Sequence, residues 1–72
     1  MEKIIELVQE INPYEDFNEK TDLFENEILD SLGLAELVIN LESIYGIVIG
    51  EELITEENFK NVECIKNMID KL

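Results

Sequence analysis

The stretch Leu29-Asp30-Ser31-Leu32, with the run from Gly33 to Tyr45 behind it, organises the chain. Leu34, Leu37, Val38, Leu41, Ile44 and Tyr45 recur at steps of three and four, the spacing of one apolar helical stripe. Asp30 and Ser31 stand just ahead of that stripe, where helix caps are favoured, and Gly46 suits the left-handed residue that closes a helix. The spacing predicts a helix over 31–45 that starts on a hydroxyl. That hydroxyl sits at the positive end of the helix dipole, where unpaired N–H groups would stabilise an attached phosphodiester. Plain capping is the ordinary use of such residues, but no reciprocal capping box is present, because Gly33 and Leu34 occupy the positions that would need Glu or Gln. At the helical pitch Ala35, Glu36, Ile39, Glu42 and Ser43 fall outward or at the margins, and Ile39 lies about 160° from Leu37. An outward Ile among acids is a candidate recognition spot. Single surface apolar residues are also common and by themselves mean nothing.

Outward from this helix the other elements follow. Residues 2–11 read as a helix with Ile4, Leu7, Val8 and Ile11 on one face, ended by Asn12-Pro13 because the residue before proline leaves the helical region. Residues 12–29 show no period, and a connection of that length is often functional. Phe17, Leu23, Phe24, Ile28 and Leu29 are expected to pin it, Asn18 and Asn26 suit turns, and Thr21-Asp22 suits the start of a short helical turn. Ile47-Val48-Ile49 is β-branched but has no partner strand, so it is expected to run extended with Ile47 and Ile49 inward and Glu51 and Glu52 solvated. Thr55 would cap a short helix over 56–60 anchored by Phe59, and Asn61 a last helix over 62–71 with the stripe Val62, Ile65, Met68, Ile69 and Leu72. The sum is one domain over 1–72, an all-α bundle of three main helices and one short one.

A chain of 72 residues builds a core worth only roughly 3–5 kcal/mol without staples. Apolar residues make up 46%, enough to fold. The charge is lopsided: 18 acids against five lysines, with no Arg or His, give a net charge of −13. Self-repulsion subtracts from the thin margin, so added salt or divalent cations are expected to stabilise the fold. Such acidity disfavours nucleic acid and anionic membranes, both of which need Lys and Arg. It favours a protein partner with a basic patch, or simply keeps the chain soluble. Cys64 is the one cysteine, so no internal disulfide forms, and its place between Val62 and Ile65 suggests a small, partly buried residue. With no signal peptide or membrane span, a cytoplasmic monomer is expected.

Catalytic constellations are largely excluded. Without histidine there is no Ser–His–Asp triad, Cys–His pair or His metal site. No nucleophile elbow, Gly-rich phosphate loop or EF-hand pattern occurs. A carboxylate pair could serve a glycosidase on paper, but so small a domain has little room to bury a substrate. No metal centre is expected beyond loose binding of Ca²⁺ or Mg²⁺ at glutamate clusters. Ser31 has no local base and cannot activate itself. It remains an attachment point for a group added by another enzyme.

Asp30-Ser31-Leu32, Glu36-Leu37-Val38, Leu41-Glu42 and Tyr45-Gly46-Ile47-Val48-Ile49 together resemble the acyl carrier proteins, over nearly the whole chain. The resemblance implies that Ser31 carries 4′-phosphopantetheine, taken from coenzyme A by a separate phosphopantetheinyl transferase. It further implies a thiol-ended arm that holds acyl or aminoacyl groups as thioesters for a loading enzyme and for a synthase or transferase with a basic docking patch. In such a family the serine-led helix is also the recognition helix. Asp30, Leu32, Ala35, Glu36, Ile39 and Glu42 would then meet partners, Ala35 and Ile39 as apolar contacts and Glu36 and Glu42 opposite Lys or Arg.

The chain also departs from the fatty-acid carriers. Gly33 and Ser43 stand where many of them have acids, and Leu29 precedes the D-S-L where they usually read G-A. The run Asp22 to Ser31 is closer to D-alanyl, peptidyl and specialised carriers, whereas Tyr45 to Ile49 is usual in acyl carriers. A freestanding acyl carrier is the leading expectation, with an aminoacyl (D-alanyl or peptidyl) carrier as its rival. An acidic interaction module with no prosthetic group stands behind both.

Overall fold

The structure, a computed structural model, describes residues 2–72. In chain order it contains α1 (Glu2–Ile11), α2 (Ser31–Tyr45), a 3₁₀ turn (Glu51–Leu53), α3 (Glu56–Phe59) and α4 (Val62–Asp70), and the described residues form no strand. The fold is the all-α bundle that the apolar spacing predicts. Helix α1 packs against both α2 and α4, and α3 against α4. Ile4, Leu7 and Val8 of α1, Leu37, Val38 and Leu41 of α2, Phe59 of α3, and Val62, Ile65 and Met68 of α4 meet in one buried cluster.

Local chemistry sets the helix starts. Asp30, Thr55 and Asn61 have extended backbones, and each accepts an N–H three residues on: Gly33 at 2.7 Å, Asn58 at 3.1 Å and Cys64 at 2.8 Å. Helix α2 ends as its glycine demands. Gly46 has φ 63°, and the N–H groups of Gly46 and Ile47 both donate to the Glu42 carbonyl, satisfying an acceptor that the helix end would orphan.

The long connection 12–29 is folded. Asp22 Oδ1 accepts the N–H groups of Phe24 and Glu25 and opens a single helical turn. Bonds from Glu27 N to the Phe24 carbonyl and from Ile28 N to the Leu23 carbonyl close that turn, with Glu27 left-handed at φ 57°. Leu23, Ile28 and Leu29 are buried in the main core, as expected, and Phe17 and Phe24 pack against it. Backbone bonds from Leu23 N to the Lys60 carbonyl (2.7 Å) and from Glu63 N to the Glu19 carbonyl (3.1 Å) tie the connection to the α3–α4 junction.

Three expected core positions lie elsewhere. Ile44 and Tyr45 are 48% and 38% exposed, and Ile44 overhangs the charged face of α1 that carries Lys3, Glu6 and Glu10. Leu72 is 53% exposed because α4 ends at Asp70 and the stripe outlasts the helix. The short helix likewise ends at Phe59, one residue early. Ile49 is buried, Ile47 half-buried and Val48 exposed, the alternation expected of an extended segment; the 3₁₀ turn after it has no counterpart in the periodicity.

Candidate functional site

Ser31 is the first residue of α2 and is exposed. Asp30 ahead of it is held by the cap: its Oδ1 takes the Gly33 N–H, and its carbonyl takes the Leu34 N–H at 2.8 Å. The N–H groups of Ser31 and Leu32 belong to the helix start that has no intrahelical acceptor, and neither donates to a described residue. Two free donors and the dipole end thus lie beside a solvent-facing hydroxyl, a setting that suits a phosphate oxygen.

Two different surfaces flank Ser31. On one side, Ser31, Leu34, Ala35, Val38 and Ile39 follow one another at helical steps of three and four and line an open groove of about 310 Å³, with Ile54 across from them. Apart from the serine hydroxyl its lining side chains are all apolar. On the other side, Leu32, Gly33 and Glu36 share a cleft with Asp30, Glu27, Ile28, Ile11 and Asn12, so three carboxylates gather there. Ser31 stands at the head of the ridge between an apolar groove and an acidic cleft.

The expected recognition residues divide accordingly. Leu32 and Ile39 are 80% and 64% exposed, and Ala35 and Glu36 are exposed beside them. Glu42 differs. It is half-buried and its Oε2 accepts the Ile49 N–H at 2.9 Å, so one of the oxygens expected to meet a partner is engaged within the chain.

Three participants were not visible in the sequence pattern. Gly33 is buried: a Cβ there would come within 3.2 Å of Ile11 Cγ2 and 3.2 Å of Asp30 Oδ1, so glycine lets the start of α2 approach the end of α1. Ile54 reaches the groove from a connection with no periodic signal, and Glu27 reaches the acidic cleft by its left-handed turn.

From Thr21 to Phe59 the chain has no lysine and ten of its 18 acids. The two ion pairs among the described residues, Lys3–Glu6 at 3.4 Å and Lys66–Asp70 at 2.8 Å, both belong to exposed side chains of α1 and α4. The carboxylates that share the cleft beside Ser31, those of Glu27, Asp30 and Glu36, therefore have no ion-pair partner among the described residues. No group of three or more acidic or thiol side chains among the described residues is disposed to hold a metal ion, and no described helix is long and apolar enough to cross a membrane. In comparisons with known proteins, no family model matches the chain, and no curated protein matches it. The class defined by fold and site is a small acidic helical bundle that presents an exposed serine at the head of its central helix.

Proposed function

We propose that the protein is a carrier whose Ser31 Oγ bears 4′-phosphopantetheine, received from coenzyme A through a transferase that supplies the base. The observation that carries this reading is the surroundings of Ser31: an exposed hydroxyl, two unengaged helix N–H groups, and an apolar groove leading away from it. Ser31 Oγ displaces the adenosine-bearing phosphate of coenzyme A, and its proton passes to the transferase. The bound group supplies a thiol that holds cargo as a thioester. The chain's own residues do the rest. The N–H groups of Ser31 and Leu32 would hold the phosphodiester, and the groove would shield apolar matter. Leu32, Ala35 and Ile39 offer apolar contact to partners inside a frame of Asp30 and Glu36. Among the described residues no side chain is hydrogen-bonded to Ser31 Oγ as a base would be, which suits an attachment point better than a catalyst.

The groove favours an acyl cargo over an aminoacyl one, because Leu34, Ala35, Val38, Ile39 and Ile54 offer nothing to an ammonium. The net negative charge suits loading and synthase partners that present Lys or Arg. The reading sets the carrier in the cytoplasm, where a lone thiol such as Cys64 stays reduced.

Incubation with coenzyme A and a broad phosphopantetheinyl transferase, read by intact mass, tests the proposal. One arm is expected to be added to the native chain and none to Ser31→Ala. A chain that gains nothing leaves the interaction module as the better account, and a gain that survives Ser31→Ala refutes attachment at Ser31.

A further inference from the structure

The groove beside Ser31 has walls of different origin. One wall is α2 itself, carrying Leu34, Ala35, Val38 and Ile39, and the other carries Ile54. Ile54 lies outside the α-helices, at the end of the connection 46–54. Within that connection Ile49 alone is buried; Val48, Glu51 and Glu52 are exposed. Ile47, Leu53 and Ile54 pack against the core beside it, and the exposed backbone between these anchors is the part that opens locally at low cost. Polar ties hold it at both ends. At the start, the Glu42 carbonyl takes two N–H groups, from Gly46 and Ile47, and Glu42 Oε2 takes the Ile49 N–H at 2.9 Å. Near the end, Asn58 Nδ2 donates to the Leu53 carbonyl at 2.9 Å. The carboxylate bond is the charge-assisted one, and charge-assisted bonds are the stronger kind.

We propose that Glu42 is a positioning residue whose carboxylate clamps segment 46–54 onto α2 and so sets where Ile54 stands as the far wall of the groove. This differs from a docking charge in what it requires. The clamp needs an acceptor oxygen, whereas docking needs the negative charge. What the groove holds rests on the carrier reading above; the clamp itself does not.

Amide hydrogen exchange on the unmodified full chain separates these roles. Loss of one such bond speeds local opening roughly tenfold, so the Leu53 and Ile54 amides should exchange about tenfold faster in Glu42→Ala. The Val8 and Ile65 amides should be unmoved. Glu42→Gln keeps the acceptor but loses the charge assistance, so its Leu53 and Ile54 amides should exchange faster than wild type and clearly slower than in Glu42→Ala. Unchanged Leu53 and Ile54 exchange in Glu42→Ala, equal acceleration at Val8 and Ile65, or a Gln variant that behaves like Ala would each overturn the clamp. On protein loaded with an octanoyl thioester, hydrolysis should quicken in Glu42→Ala and less in Glu42→Gln; a rate unmoved by Glu42→Ala would break the link to the groove. Failure of Ser31 to accept the arm would sink the carrier reading and leave the exchange result to decide the clamp.

Discussion

Helices α2 and α4 have similar caps and pack into the same core, yet they use apolar residues differently. In α4 the apolar side chains Val62, Ile65 and Met68 are buried, Ile69 packs against the core, and polar residues such as Asn67 and Asp70 face solvent. In α2, Leu37, Val38 and Leu41 are buried in the same way, but Leu32 and Ile39 stand out in solvent on other faces. Folding needs one apolar stripe per helix. Helix α4 has that stripe and nothing more, whereas α2 carries apolar surface that the bundle does not use. The surplus begins one residue after Ser31, which is why a site is read there and not at α4.

The comparison breaks most sharply in the core, where the two helices should behave alike. Leu41→Ala in α2 and Ile65→Ala in α4, both 0% exposed, should each cost about 2–5 kcal/mol, enough to unfold much of so small a domain. Thermal melts check this; a wild-type melt for Leu41→Ala would mean that the buried face of α2 is misassigned. At the turn that closes α2, Gly46→Ala meets no atom within 4 Å but is forced to φ 63°, so the cost should be purely conformational, about 1–2 kcal/mol. Denaturant titration measures it.

On the outer face the helices should part company. Ile39→Ala and Glu36→Lys should shift stability by no more than about 0.5 kcal/mol, as exposed substitutions do. They should slow loading by a partner enzyme, Glu36→Lys mainly through the association rate and with a salt dependence weaker than wild type. The charge-reversing change Asp70→Lys on α4 should leave loading nearly untouched, and stopped-flow kinetics across a salt series compares the two. Smallest of all is the general effect of charge. With net charge −13, moderate salt should raise the melting temperature by screening repulsion; a melt indifferent to salt would contradict it.

How much was legible beforehand follows from the range of each interaction. The caps at Asp30, Thr55 and Asn61 and the left-handed Gly46 were readable because a cap joins residues three or four apart. The stripe of α2 was readable at Leu37, Val38 and Leu41. It failed at Ile44 and Tyr45, since periodicity fixes a face but not where the neighbouring helix stops covering it. The burial of Gly33 against Ile11, the bond from Ile49 N to Glu42, and the arrival of Ile54 at the groove depend on how distant segments meet, and no local pattern encodes them. Ser31 and its outward neighbours lie within one helix, so their placement on its exposed side could be read from phase alone. The far wall of the groove could not.

The most direct test of the central claim is the mass of the fragment Thr21–Lys60, cut at lysine from protein purified out of its own cells. Both serines, Ser31 and Ser43, lie in that fragment, and fragmentation within it separates them. The account predicts a phosphodiester-linked arm on Ser31 and an unmodified Ser43. A fragment found only at its bare amino-acid mass, in cells that contain a competent transferase, would contradict it.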